Sequence, residues 1–171
     1  MSAVPETGEA LAAETYRRID REIAKFPASQ KRSAVVAALA LAQRELGWLP
    51  PWAMEAVAKY LGMPPIAVYE VATFYSMFDL NPVGRFKLSL CTNLPCALSG
   101  AARTAAHLKA KLGIGFGETT SDGLFTLKEG ECFGACGDAP VMLVNDKRMC
   151  GFLNEDRMDQ LLEQLRRGEG V

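Results

Sequence analysis

The chain has 171 residues, of which 49% are hydrophobic and 23% charged, with a formal net charge of −1 at pH 7. That length allows one large or two small domains, and the near-neutral charge gives no global case for nucleic acid or an anionic membrane surface as a partner. Met1 to Glu9 lacks the basic start and apolar core of a secretory signal, and the longest strongly apolar run, Ala34 to Ala42, is too short to cross a bilayer. The expectation is a cytoplasmic protein without direct membrane insertion, whose five cysteines act as ligands or redox groups rather than as disulfides.

Residues 1–9 read as a flexible tail and residues 10–81 as a helical bundle. In the first helix Tyr16, Ile19, Ile23 and Phe26 share one face, opposite Arg17, Arg18, Arg21, Glu22 and Lys25, and Pro27 ends it. A second helix follows Ser29, with Val35, Ala38, Leu39, Ala42 and Leu46 at helical spacing and Gly47 as its C-cap. Pro50-Pro51 opens a third, through Trp52, Val57 and Leu61 to Gly62. Pro64-Pro65 opens a fourth, from Ile66 onward. There Val68, Val71, Ala72 and Tyr75 form one face, while Phe74, Met77 and Phe78 widen the apolar surface. Such a helix must be covered on both sides, by this chain's own second half or by another subunit.

Asn81-Pro82-Val83-Gly84 marks a turn and a boundary, and residues 82–171 read as a second domain. Phe86 to Leu90 alternates as a strand ending at Cys91. Leu98, Ala101, Ala105, Leu108 and Leu112 then give a helix stopped by Gly113. Leu124 to Leu127 and Val141 to Val144 read as strands, and Asn145-Asp146 turns into a further strand, Met149 to Phe152. A last helix starts near Asn154 and carries Met158, Leu161, Leu162 and Leu165. The order β-α-β then β-β-α is that of a thioredoxin-like domain, so the fold class is α+β: an N-terminal helical bundle followed by a thioredoxin-like α/β domain.

Four cysteines form two clusters, Cys91-Thr-Asn-Leu-Pro-Cys96 and Cys132-Phe-Gly-Ala-Cys136, separated by 35 residues. Both lie in segments that read as loops. Four thiolates make a complete ligand set for an iron–sulfur cluster or a closed zinc site. The first pair brackets a strand-to-helix turn, with Cys96 placed just before the helix near Leu98, where unpaired N–H groups favour an anionic centre. Glycines at 134 and 137 let the second loop turn tightly beside its sulfurs. Structural zinc sites more often use C-x2-C pairs and histidine, so the spacing favours iron–sulfur over zinc and leaves zinc open.

The only histidine, His107, reads as a solvated surface residue on the face of Arg103 and Lys111. A thiol–disulfide enzyme would want C-x-x-C at the first helix, which is absent. Cys150, alone among apolar neighbours, reads as a small buried residue. Gly113 to Gly117 follows a helix rather than a strand, so it reads as a helix stop and not a nucleotide loop. No motif pairs a nucleophile with a base or two carboxylates, so no catalytic residue is assigned.

The stretches VYEVATFYSMF, PVGRFKLSLCTNLPCALSGA and GETTSDGLFTLKEGECFGACGDAPVMLVND closely resemble the small ferredoxin subunit of bacterial NADH:quinone oxidoreductase, respiratory complex I. This is the E-type, or 24-kilodalton, subunit. The resemblance also covers the helical half, including QKRSAVVAALALAQRELGWLP. It implies one [2Fe–2S] cluster on Cys91, Cys96, Cys132 and Cys136, and no NADH turnover by this chain alone. It further implies a partner subunit carrying flavin mononucleotide, the NADH site and a [4Fe–4S] centre, followed by the remaining peripheral arm at the inner face of the cell membrane. The cluster would sit beside the flavin but off the main path to quinone. Closely similar subunits occur in NAD-linked hydrogenases and formate dehydrogenases. A structural zinc-binding interaction module is the alternative of a different class.

Overall fold

The structure, a computed structural model, describes residues 10–168; the expected tail at 1–9 lies outside the described residues. The chain divides into two compact units, Met1–Pro82 and Val83–Val171.

The first unit is helical. Helices α1 (Ala13–Ile23), α2 (Val35–Leu46), α3 (Pro51–Leu61) and α4 (Pro65–Phe74) enclose a core that includes Ile19, Ala38, Leu39, Ala42, Val57 and Val68. Proline opens α3 and α4 in the first turn, where a missing N–H costs no helical bond. Glycine closes α2 and α3 in the left-handed conformation, Gly47 at φ 84° and Gly62 at φ 68°. The second helix begins later than its expected start after Ser29. Residues Ala28–Ala34 form a 3-10 segment interrupted at Gln30 (φ −114°, ψ 26°).

The fourth helix is shorter than its apolar pattern predicts. It stops at Phe74, and Tyr75 is extended at φ −89°, ψ 119°. Bonds from the second helix hold the chain beyond it: Gln43 Nε2 donates to the Met77 carbonyl (2.9 Å), and its Oε1 accepts from the Asp79 N–H (2.7 Å). Leu49 N–H donates to the Asp79 carbonyl at 2.7 Å. This non-helical path turns Phe78 into the unit's own core, 5% exposed, while Phe74 stays 80% exposed. The expectation that Phe74, Met77 and Phe78 all widen the apolar surface of this helix is therefore corrected: the helix does not continue beyond residue 74.

The second unit is built on a four-stranded sheet in the order β2-β1-β3-β4, from β1 (Phe86–Cys91), β2 (Phe125–Gly130), β3 (Met142–Val144) and β4 (Arg148–Cys150). β1 pairs parallel with β2 and antiparallel with β3, so it is buried at every position. Phe86, Leu88 and Leu90 share one core with Phe125, Leu127, Met142 and Val144. Ala105 and Leu108 of α6 (Ala101–Leu112) and Met158, Leu161, Leu162 and Leu165 of α7 (Glu155–Arg166) complete it. The β3–β4 turn takes Asn145 and Asp146 through φ 51° and 56°, the conformation a tight hairpin needs. Gly113, at φ 68°, caps α6 as expected for a helix stop.

Several boundaries differ from the pattern. β2 runs on to Gly130 because its last residues pair with β1 in spite of their polarity, with Cys91 opposite Gly130. The hairpin's return strand ends at Cys150, leaving Phe152 outside it at φ 52°. The expected helix from Leu98 is broken in two: α5 (Leu94–Leu98) ends at Ser99, and Gly100, at φ 96°, turns the chain into α6. Leu98 is consequently 81% exposed rather than on the buried face. Among the described residues, no helix is long and apolar enough to cross a membrane.

Candidate metal centre

The two cysteine loops meet at one end of the sheet. Cys91 is the last residue of β1, and its register partner Gly130 is the last of β2, so the loop Glu131 to Pro140 departs beside it. Cys91 and Cys96 are buried, at 3% and 1% exposure, and form an apolar group with Ala101 and Val141 against which Phe133, Ala135 and Ala139 pack. Cys132 and Cys136 are exposed, and Gly134 between them takes φ 71°.

The Cys91 thiol donates to the Glu131 carbonyl at 3.4 Å, one residue from Cys132. Burial pushes the Cys96 thiol above its ordinary pKa, and the neighbouring Cys91 and Cys136 raise it further. The backbone N–H of Val141 acts oppositely, favouring the Cys96 thiolate. Val141 also accepts from the Cys91 N–H through its carbonyl at 3.0 Å. This apolar residue thus ties both cysteines of the first pair to the second loop's exit, a role only the β1–β3 pairing reveals.

Cys91 and Cys136 both bear on Cys96, and Cys132 stands next to the residue that Cys91 contacts. The helix-terminus argument for Cys96 is corrected: it lies within the short α5, not ahead of the long helix. Four cysteine thiolates are the donor set that a [2Fe–2S] cluster would take. Such a group does not require all ligands to converge on one point, and among the described residues no three His, Cys, Asp or Glu side chains are gathered to hold a single ion.

His107 is not simply solvated. Its Nε2 lies 2.8 Å from Asp159 Oδ1, and Lys111 Nζ lies 2.7 Å from Oδ2 of the same carboxylate. Cys150 is half-buried at the end of β4 against the main core, and burial raises its thiol pKa.

This fold and cysteine arrangement define a class: the chain belongs to the thioredoxin-like [2Fe–2S] ferredoxins, which it matches over residues 19–166. Within that class it is similar to one kind of subunit. It is 48% identical over 153 residues to the E-type subunit numbered 2 of the NADH-quinone oxidoreductase of Rhizobium meliloti (strain 1021), covering 90% of this chain and 89% of the relative. It is 48% identical over 143 residues to the E-type subunit of the NADH-quinone oxidoreductase of Rickettsia prowazekii (strain Madrid E), covering 83% and 80%. The resemblance read from the sequence is borne out. Among solved structures, an NAD+-reducing [NiFe]-hydrogenase in its air-oxidized state matches with a TM-score of 0.68 and 26% identity over 78% of this chain. The chain spans only 23% of that hydrogenase chain.

Proposed function

We propose that this chain is the small electron-transfer subunit, of the E type, of an NADH:quinone oxidoreductase, holding one [2Fe–2S] cluster on Cys91, Cys96, Cys132 and Cys136. The observation that carries the reading is the meeting of two cysteine loops, 35 residues apart in sequence, across the paired ends of β1 and β2. The match to E-type relatives over nearly the whole chain supports the assembly. When bound, the cluster accepts and returns one electron.

The chain's own residues prepare that site. Val141 directs an N–H at Cys96, stabilising its thiolate, and fixes the Cys91 backbone through its carbonyl. Buried Cys91 and Cys96 keep water from one half of the site, while exposed Cys132 and Cys136 leave the other half open toward a partner. That partner is the subunit carrying flavin mononucleotide and NADH, with this cluster beside the flavin. The assembly lies at the cytoplasmic face of the cell membrane, and this chain alone turns over no NADH.

Iron and acid-labile sulfide in anaerobically purified protein test the reading. Two irons and two sulfides per chain support it. About one zinc and no sulfide would overturn it. The hydrogenase likeness favours a second reading, an equivalent subunit of an NAD-linked hydrogenase. Co-purification decides between them: a nickel-containing partner selects the hydrogenase, and a quinone-reducing assembly selects the oxidoreductase.

A further inference from the structure

We infer that Gly130 and Gly151 are the two seats on which the second cysteine loop rests, and that their lack of a side chain positions Cys132 and Cys136. The inference rests on the [2Fe–2S] reading above. Neither glycine has a left-handed backbone, so conformation does not demand glycine at either place. Space does. A Cβ on Gly130 would lie 2.3 Å from Phe133 Cζ and 3.0 Å from its Cε2. A Cβ on Gly151 would lie 2.7 Å from Asp138 Cβ and 3.0 Å from the Asp138 carbonyl oxygen.

The two contacts grip the loop from its two ends. Phe133 follows Cys132 directly, and its ring meets both the bare Gly130 backbone and the buried group of Cys91, Cys96, Ala101 and Val141. Asp138 lies two residues past Cys136, in the turn Cys136–Asp138. That turn is bonded to the segment after β4: Phe152 N–H donates to the Asp138 carbonyl at 2.6 Å, and Leu153 N–H to the Pro140 carbonyl at 3.1 Å. A methyl group at 130 displaces the ring beside Cys132. A methyl group at 151 meets Asp138 near its main chain, so the Cys136 turn itself moves. Having no side chain, neither glycine can be a ligand; both are positioning residues.

The test uses the full chain carrying its cluster, as wild type, Gly130→Ala, Phe133→Ala, the double variant, and Gly151→Ala. The readouts are the reduced spin-resonance spectrum, the midpoint potential and the rate of cluster loss to a chelator. Gly130→Ala is expected to lose its cluster roughly 10-fold faster, the scale of supporting-residue effects at metal sites, with a changed spectrum. That penalty should vanish in the Phe133→Ala background, because the clash is with the ring. Gly151→Ala should show the same loss or fail to fold, and in the latter case the Gly130 cycle decides. Unchanged spectrum and lifetime in Gly130→Ala, or an equal penalty with and without the Phe133 ring, would overturn the inference. Wild-type protein without iron and sulfide would instead overturn the cluster reading beneath it.

Discussion

Cys91 Sγ reaches the Glu131 carbonyl at 3.4 Å across 40 residues of chain, so the end of the central strand touches the loop that carries the second cysteine pair. The contact follows from strand register. Cys91 is paired with Gly130, and Glu131 is the next residue along. The candidate site is thus positioned by β1–β2 pairing.

Ligand loss should separate the cysteines cleanly. Cys96→Ala and Cys132→Ala are expected to abolish the reduced [2Fe–2S] spin-resonance signal, because three thiolates leave one iron open. Cys150→Ala should retain it, since Cys150 packs against the main core. A surviving signal in either ligand variant, or a lost one in the Cys150 variant, contradicts the assignment.

The end of the fourth helix offers a contrast between a surface and a core aromatic. Phe74, 80% exposed, can become glutamate with little change in melting temperature, while capture of the proposed flavin-bearing partner in a pull-down should fall. Phe78, 5% exposed, packs within its own unit, and Phe78→Ala should cost about 3–5 kcal/mol in denaturant unfolding. Undiminished capture by the Phe74 variant would show that this residue does not face a partner subunit.

Asn145 holds the β3–β4 hairpin by conformation and by a bond. It sits at φ 51°, and its Oδ1 accepts from the Lys87 N–H of β1 at 2.7 Å. Alanine there loses the hydrogen bond and strains the turn, so Asn145→Ala should destabilise by about 2 kcal/mol. Asn145→Gly should recover the conformational part of that loss but not the bond. Equal stability of the two variants would show that strain contributes nothing.

Much of the fold was legible from local signals. Gly47, Gly62 and Gly113 close helices, the paired prolines open them, and Asn145-Asp146 turns the hairpin, each because local backbone preference and tertiary structure agree. What escaped the pattern was set by distant partners. Gln43 draws residues 77 and 79 out of helical geometry, which a period of 3.6 cannot register. The polar end of β2 is a strand only through its pairing with β1. Cysteine spacing marked the loops of the candidate site, but Val141 and Gly130 read as ordinary residues until the sheet places them there.

The Asp159 carboxylate links α7 to α6, and its titration gives that link a direction with pH. Lys111 donates to Oδ2, and His107 lies against Oδ1; together they hold the carboxyl below its ordinary pKa. A carboxylate whose pKa is lowered on folding contributes its stabilisation fully above the unfolded value, near 4. That contribution fades as pH falls through the lowered folded value. Asp159→Asn should therefore melt below wild type near neutral pH, with the gap closing in acid. The gap should also narrow in high salt, because the group is open to solvent. A melting difference that stays constant from neutral pH into acid would assign the loss to side-chain shape instead of charge.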